Sequence, residues 1–305
     1  MDQVAYLDID DTIKATYGYQ KQGAGYGYSK VKGLNALLGI VSTPVSAPVI
    51  AATRLRRGPT NSAKGAARLV ADALVTARKA GATGQVTVRA DSAYYNHDVI
   101  AAARTGGARF SVTARMDPAV TRAITQIPDD AWVTIKYPNA IWDDEQEQRW
   151  VSDAEVAEIG FPAFTSRRRD EHIDARLIVR RVKRLNAATV PAGQGALFST
   201  WRHHAVFTDS QESMLAAEAT HRDHAIVEKV IAELKNGPLA HLPSGQMNAN
   251  AAWLVLAAIA FNLTRTAGTL ASKFHARATT ATARAQLIAV PARIARSARR
   301  LRLHW

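Results

Sequence analysis

No cysteine occurs among the 305 residues. That excludes disulfides, thiolate nucleophiles and Cys-ligated zinc, and it fits a reducing cytosol. No signal peptide is expected, because Met1 is followed by Asp2 and a mixed, strand-like run. Long hydrophobic runs are also missing. The longest, Ala251 to Phe261, is too short to span a bilayer and reads as a buried helix, so no membrane partner is expected. Acidic residues disappear from the chain after Glu233.

What is present sharpens that last absence. Apolar residues make up 47% of the chain, enough for a sizeable core. Up to Glu233, 29 Lys and Arg stand against 26 acids, a balance of +3; the last 72 residues carry +10. A basic excess gathered at one end is the footprint of a polyanionic partner, nucleic acid before a membrane surface.

Val4 to Asp10 reads as a buried strand ending in acids, followed by a Gly- and Tyr-rich hairpin loop from Tyr17 to Tyr28. Leu34–Val41 and Pro48–Leu55 read as two further strands. Asn61 or Ser62 then caps a helix with the apolar stripe Ala66, Leu69, Val70, Ala73, Leu74 and Ala77. In Val86–Asp91, Val86, Val88 and Ala90 alternate with Thr87, Arg89 and Asp91, a strand pattern. A short helix near His97–Arg104 and a strand at Arg109–Thr113 follow. The order predicts an α/β fold, a mixed sheet flanked by helices in the manner of a ribonuclease-H-like core.

Four segments are expected: the first part of the core at 1–126, a β-rich insertion subdomain at 127–207, the second part of the core at 208–269, and a basic helical C-terminus at 270–305. Inside the insertion, Trp132–Tyr137, Ala175–Val182 and Ala196–Trp201 read as short strands. Thr208 or Asp209 opens a helical region reaching Lys235, and Asn236-Gly237-Pro238 stops it. Asn248–Ala267 reads as an apolar helix. Thr279–Trp305 reads as helical, with Arg293, Arg296 and Arg300 on one face.

Three places offer carboxylates to a divalent cation of the kind that serves phosphoryl transfer. The first is Leu7-Asp8-Ile9-Asp10-Asp11-Thr12, where Asp8 and Asp10 share one side of the strand and Asp11 takes the other. The second is Arg89-Ala90-Asp91-Ser92, where Asp91 would otherwise be a plain N-cap. The third is the run from His221 to Lys235. On one helix, His221, His224, Glu228 and Lys235 would form a single polar stripe, and a solvated charged face is the bland alternative.

These motifs together resemble DDE transposases of bacterial insertion sequences, in the group with a β-rich insertion before the third carboxylate. The resemblance runs from Asp8 to about Gly268. A first acid followed two residues on by Thr selects Asp10 with Thr12, and an Ala-Asp-Ser strand end selects Asp91. A spacing of Tyr, two residues, Arg, three residues, Glu, six residues, Lys selects Glu228 and Lys235, with His221 and His224 standing where the family has Tyr and Arg.

The resemblance implies Asp10, Asp91 and Glu228 as catalytic metal ligands for two Mg2+ or Mn2+ ions. It implies Lys235, His224, His221 and Arg222 as DNA contacts. The implied substrate is double-stranded DNA, at transposon ends and target, held by a homodimer at the nucleoid. Relatives usually carry an upstream DNA-binding region, so an N-terminally truncated copy is expected.

Two other readings compete. Asp8-x-Asp10-x-Thr12 also fits the nucleophile motif of haloacid-dehalogenase-type phosphatases, with Asp129-Asp130 or Asp143-Asp144 as the later acidic pair. That reading leaves Glu228, Lys235 and the basic end unused. A catalytically dead DNA-binding remnant is the other.

Overall fold

A computed structural model describes residues 4–17, 20–136, 142–143, 149–150, 154–183, 201–297 and 300–304. In chain order the elements are β1 (Ala5–Ala15), β2 (Gly25–Tyr26), β3 (Lys32–Ser42), β4 (Val49–Arg57), α1 (Ala66–Lys79), β5 (Val86–Ala90), α2 (His97–Thr105), β6 (Arg109–Thr113) and α3 (Pro118–Thr125). Then come β7 (Val133–Ile135), β8 (Trp142–Asp143), β9 (Arg149–Trp150), β10 (Ala154–Ala163), β11 (Ile173–Lys183) and β12 (Trp201–Thr208). The chain closes with α4 (Met214–Arg222), α5 (Ile226–Lys235), α6 (Met247–Ala271), α7 (Lys273–Arg277), α8 (Thr280–Ala283), β13 (Arg293–Ser297) and β14 (Arg300–His304). The fold is mixed α/β. It divides into two compact units, Met1–Val86 with Ala225–Trp305, and Thr87–His224. These cuts differ from the four segments expected from the sequence.

In the first unit β1 and β3 form a long antiparallel hairpin, with Asp10 opposite Leu38 and Thr12 opposite Ala36. β4 pairs with the far side of β3. β1 does not end at its acids, as expected, but runs on to Ala15 and leaves Asp10 and Asp11 mid-strand. Period-2 alternation sorts the side chains. Leu34, Ala36, Leu38 and Ile40 of β3 pack with Val227, Val230 and Leu234 of α5 and Leu254, Ala258 and Phe261 of α6. On the opposite face Gly39 lies against Leu69 and Ala73 of α1 and beside Leu7. The sheet is therefore a middle layer, and burying each of these Leu or Val side chains is worth about 1.5–3 kcal/mol.

The six apolar positions read from the sequence are the six buried residues of α1. Its cap differs from the expected Asn61 or Ser62. Gly65, at φ 79°, precedes the first turn without a side-chain cap, a backbone conformation that glycine adopts without strain.

Helix α6 is longer than the apolar run implied and, by length and composition alone, is long and apolar enough to cross a membrane. Its buried stripe packs in the first unit's core. The Asn262 amide pairs with both backbone groups of Ile50 on β4, at 2.8 and 2.9 Å. Val255, Leu256, Ile259 and Leu263 lie on its exposed side.

In the second unit β5 and β6 are parallel, and the order continues β6-β12-β11-β10-β7 through antiparallel pairs. Because β12 hydrogen-bonds to β6, the β-rich stretch continues the sheet of β5 and β6. Every residue of β5 is buried, so its alternation does not mark a wet face. Arg89 gives its guanidinium to the carbonyl of Thr220 at 2.5 Å. Phe110, Phe161 and Tyr95 surround Phe207 at ring separations of 5.2–6.0 Å. The proposed strand at 196–200 and the acid at position 144 lie outside the described residues.

Two helical expectations are corrected. β12 runs to Thr208, and Ser213 caps α4, so helix begins after the expected Thr208 or Asp209. A 3-10 turn at Asp223–Ala225 then separates α4 from α5, which removes the continuous stripe from His221 to Lys235. The C-terminus is not one helix: after α8 and a π-helical turn, β13 and β14 form an antiparallel hairpin. Pro291 lacks an N–H and cannot sit inside a helix. Beyond it, Arg-Leu-Arg-Leu-His follows a period of two.

Candidate active site

The β1–α5 contact in the first unit builds a cleft of about 360 Å³. Asp10, Asp11, Thr12, Glu228, Ile231, Ala232, Lys235 and Asn236 line it. Asp10 and Thr12 come from the face of β1 turned to α5. Glu228 and Lys235 are seven residues apart on α5, close to two helical turns, and so lie on one side of it. The buried Val227, Val230, Ile231 and Leu234 hold that side over the strand. Lys235 Nζ donates to Thr12 Oγ1 at 3.2 Å, and Asp10 Oδ1 accepts from the Asp11 amide at 2.7 Å. Glu228 is exposed.

Asp11, one residue on, has a different fate. Its carboxylate accepts from Arg56, Asn35 and, at 3.1 Å, Ser62. Arg56 in turn donates to the carbonyls of Ser62 and Lys64 at 2.8 and 2.7 Å. The network clamps β1, β3 and β4 to the start of α1. Asp11 is a structural ion-pair partner, and nothing in the local sequence names Arg56 or Asn35 as its mates. Asp8 is completely buried, which counts against the haloacid-dehalogenase-type alternative, where it would be the nucleophile.

The other expected site residues belong to the second unit. Asp91 is exposed and caps the 3-10 turn at Ser92–Tyr94, accepting from the Ala93 amide at 2.9 Å. His221 is buried, with its ring nitrogens 2.9 Å from Ser111 Oγ and Thr113 Oγ1. It sits as a hydrogen-bonded histidine in the interior of the second unit. His224 stacks on it at 6.4 Å. Arg222 donates to Glu218 at 2.9 Å, and the buried Glu218 also faces Arg180 at 3.4 Å. Lys14, on the same strand face as Asp10 and Thr12, was missed by the sequence reading although the alternation Asp-x-Thr-x-Lys was its signal. Burial, and then the charge of Lys235, hold its ammonium below the ordinary lysine range.

The match that settles the family is to the model described as transposase DDE domain group 1, over residues 2–305. The chain belongs to that DDE transposase family. No curated protein matches it. As a DDE transposase it is an enzyme of DNA transposition and recombination, and DNA is its substrate.

Members of the family use divalent metal, and the cleft can be tested for fit. Its polar lining is Asp10, Asp11, Thr12, Glu228, Lys235 and Asn236 without any histidine, and the oxygen donors among them suit a hard cation. Magnesium is commonly held by one or two carboxylates together with substrate phosphates. Among the described residues, no group of three or more His, Asp or Glu within either unit could hold a metal ion. The first unit thus supplies two carboxylates.

Proposed function

We propose that this transposase is built on a ribonuclease-H-like plan and uses Asp10, Asp91 and Glu228, with Mg2+ or Mn2+, to cut and rejoin DNA at insertion-sequence ends. The observation that carries the reading is the shared cleft: Asp10 and Glu228, distant in sequence, line one opening with Lys235 hydrogen-bonded to Thr12. In the reaction, water oxygen attacks phosphorus and the bond to the 3′ oxygen breaks. The departing oxygen leaves as a 3′-hydroxyl. That hydroxyl then attacks a second phosphodiester, on the opposite strand or in target DNA, and displaces its 3′ oxygen.

Asp10, Asp91 and Glu228 are the cation-holding residues in this proposal, Asp91 by the family motif. The chemistry that the cations supply when held is neutralisation of charge on the phosphoryl oxygens and activation of the attacking oxygen. Lys235 holds the DNA backbone as a point charge, a contact that gives affinity more than sequence preference. Two copies of the chain would hold the two ends.

Nicking of supercoiled plasmid in Mg2+ or Mn2+ tests the reading. Asp10→Asn and Glu228→Gln are expected to reduce nicking by more than the roughly 10–100-fold that accompanies loss of an outer-shell metal partner, and chelation is expected to abolish it. Nicking that survives both substitutions sinks the assignment. DNA binding without nicking in either cation supports the dead-remnant alternative.

A further inference from the structure

Asp10, Thr12 and Lys14 follow one another at intervals of two along β1, opposite Leu38, Ala36 and Leu34. Those three partners belong to the core that β3 shares with α5 and α6. All three side chains of β1 therefore lie on the face turned to α5. On that side Lys235 bonds Thr12, and its charge is felt by Lys14. Lys235 thus reaches the strand at Thr12, two residues before Lys14. Among the described residues neither lysine forms an ion pair with a carboxylate, although both are half-buried.

Two like charges brought together without a counter-charge repel, and an anion arriving between them gains from both. The cleft carries the Lys235 amine in its lining with Asp10 and Glu228, and Lys14 follows two residues beyond Thr12 on the same strand face. Four strand residues separate Asp10 from Lys14, about 13 Å at ~3.3 Å each. Seven helical residues separate Glu228 from Lys235, about 10 Å at ~1.5 Å each. These spans equal about three to four nucleotides of rise along a strand.

We propose that Lys14 and Lys235 together seat a single backbone phosphate of the bound DNA, a few nucleotides from the one that is cut. The inference rests on the nuclease reading of the cleft, and it adds Lys14 as a positioning residue that does not touch the reacting atoms.

Fluorescence anisotropy with a duplex oligonucleotide, from 50 to 200 mM salt and without divalent cation, tests it. Lys14→Met is expected to weaken binding roughly threefold to tenfold and to lower the slope of log affinity against log salt by a fraction of the ~1 that a wholly lost phosphate contact would remove. Lys14→Arg should restore both. Because the amines share one phosphate, Lys14→Met with Lys235→Met should lose less than the product of the single losses. Binding within about twofold of the parent with an unchanged salt slope, in a Lys14→Met protein of native circular dichroism, overturns the proposal. Lys14→Gln decides in its place if the methionine variant does not fold. Asp10→Asn in the nicking assay reads the other hypothesis separately: full nicking there overturns the nuclease reading, while the phosphate seat is still judged by the salt slopes.

Discussion

Replacing Asp11 by asparagine keeps the shape of the side chain and removes its charge. The perturbation falls on the Arg56–Asp11 pair, whose side chains are only 6% and 14% exposed. Removing one member of a buried pair costs about 3–5 kcal/mol, because the remaining charge stays desolvated. Arg56 keeps the carbonyls of Ser62 and Lys64 and the Asn35 side chain as acceptors, which places the loss near the lower bound, about 3 kcal/mol. At roughly 2–4 °C per kcal/mol for a chain of this class, the melting temperature should fall by roughly 6–12 °C. Differential scanning fluorimetry and urea titration measure it. Asp10→Asn should show the reverse profile: lost nicking and little change in melting. An Asp11→Asn protein that melts like the parent, whatever its activity, refutes the assignment of Asp11 as a structural clamp.

Acid should weaken the second unit. Burial, followed by Arg181 for His203 and by Arg180, Arg202 and His203 for His204, lowers both imidazole pKa values in the folded chain. Their contribution is complete above the unfolded value of about 6.5 and is lost as pH falls through the lowered folded values. Urea midpoints from pH 7.5 to 5 should therefore decline less in a His203→Gln, His204→Gln protein, and parallel declines would count against the argument. Gly58→Ala should destabilise the first unit by about 1–3 kcal/mol or more, since a Cβ there would run into the backbone carbonyls of Gly33 and Gly25. An unchanged urea midpoint would contradict that.

Local periodicity was the most legible part of the sequence. The stripe of α1 was readable because it buries one regular face, and the span Arg109–Thr113 of β6 was read at its observed bounds although Phe110, Ser111 and Val112 are buried in succession. β10 escaped notice because Glu155 and Glu158 make it look solvated, whereas both are neutralised across the ladder by Arg181 and Arg176. α3 was also missed, although Asp117 before Pro118 is a helix-opening signal.

Within the candidate site, Asp10, Thr12, Glu228 and Lys235 were legible as types at a spacing. The opposite facing of Asp10 and Asp11 was legible from the period of two, but the partners of Asp11 were not, because Arg56 and Asn35 arrive from other strands. The burial of His221 was not legible either, since its partners Ser111 and Thr113 lie far upstream.

The antiparallel ladder of β1 on β3 makes the choice between two adjacent aspartates a matter of parity. Slipping β1 by one position would send Asp11 toward Glu228 and deliver Asp10 to the arginine clamp, inverting every side chain of the strand at once. Neighbouring acids are therefore no spare for one another. A single-codon insertion just upstream of Ile9 should be as damaging to cleavage as the loss of a carboxylate.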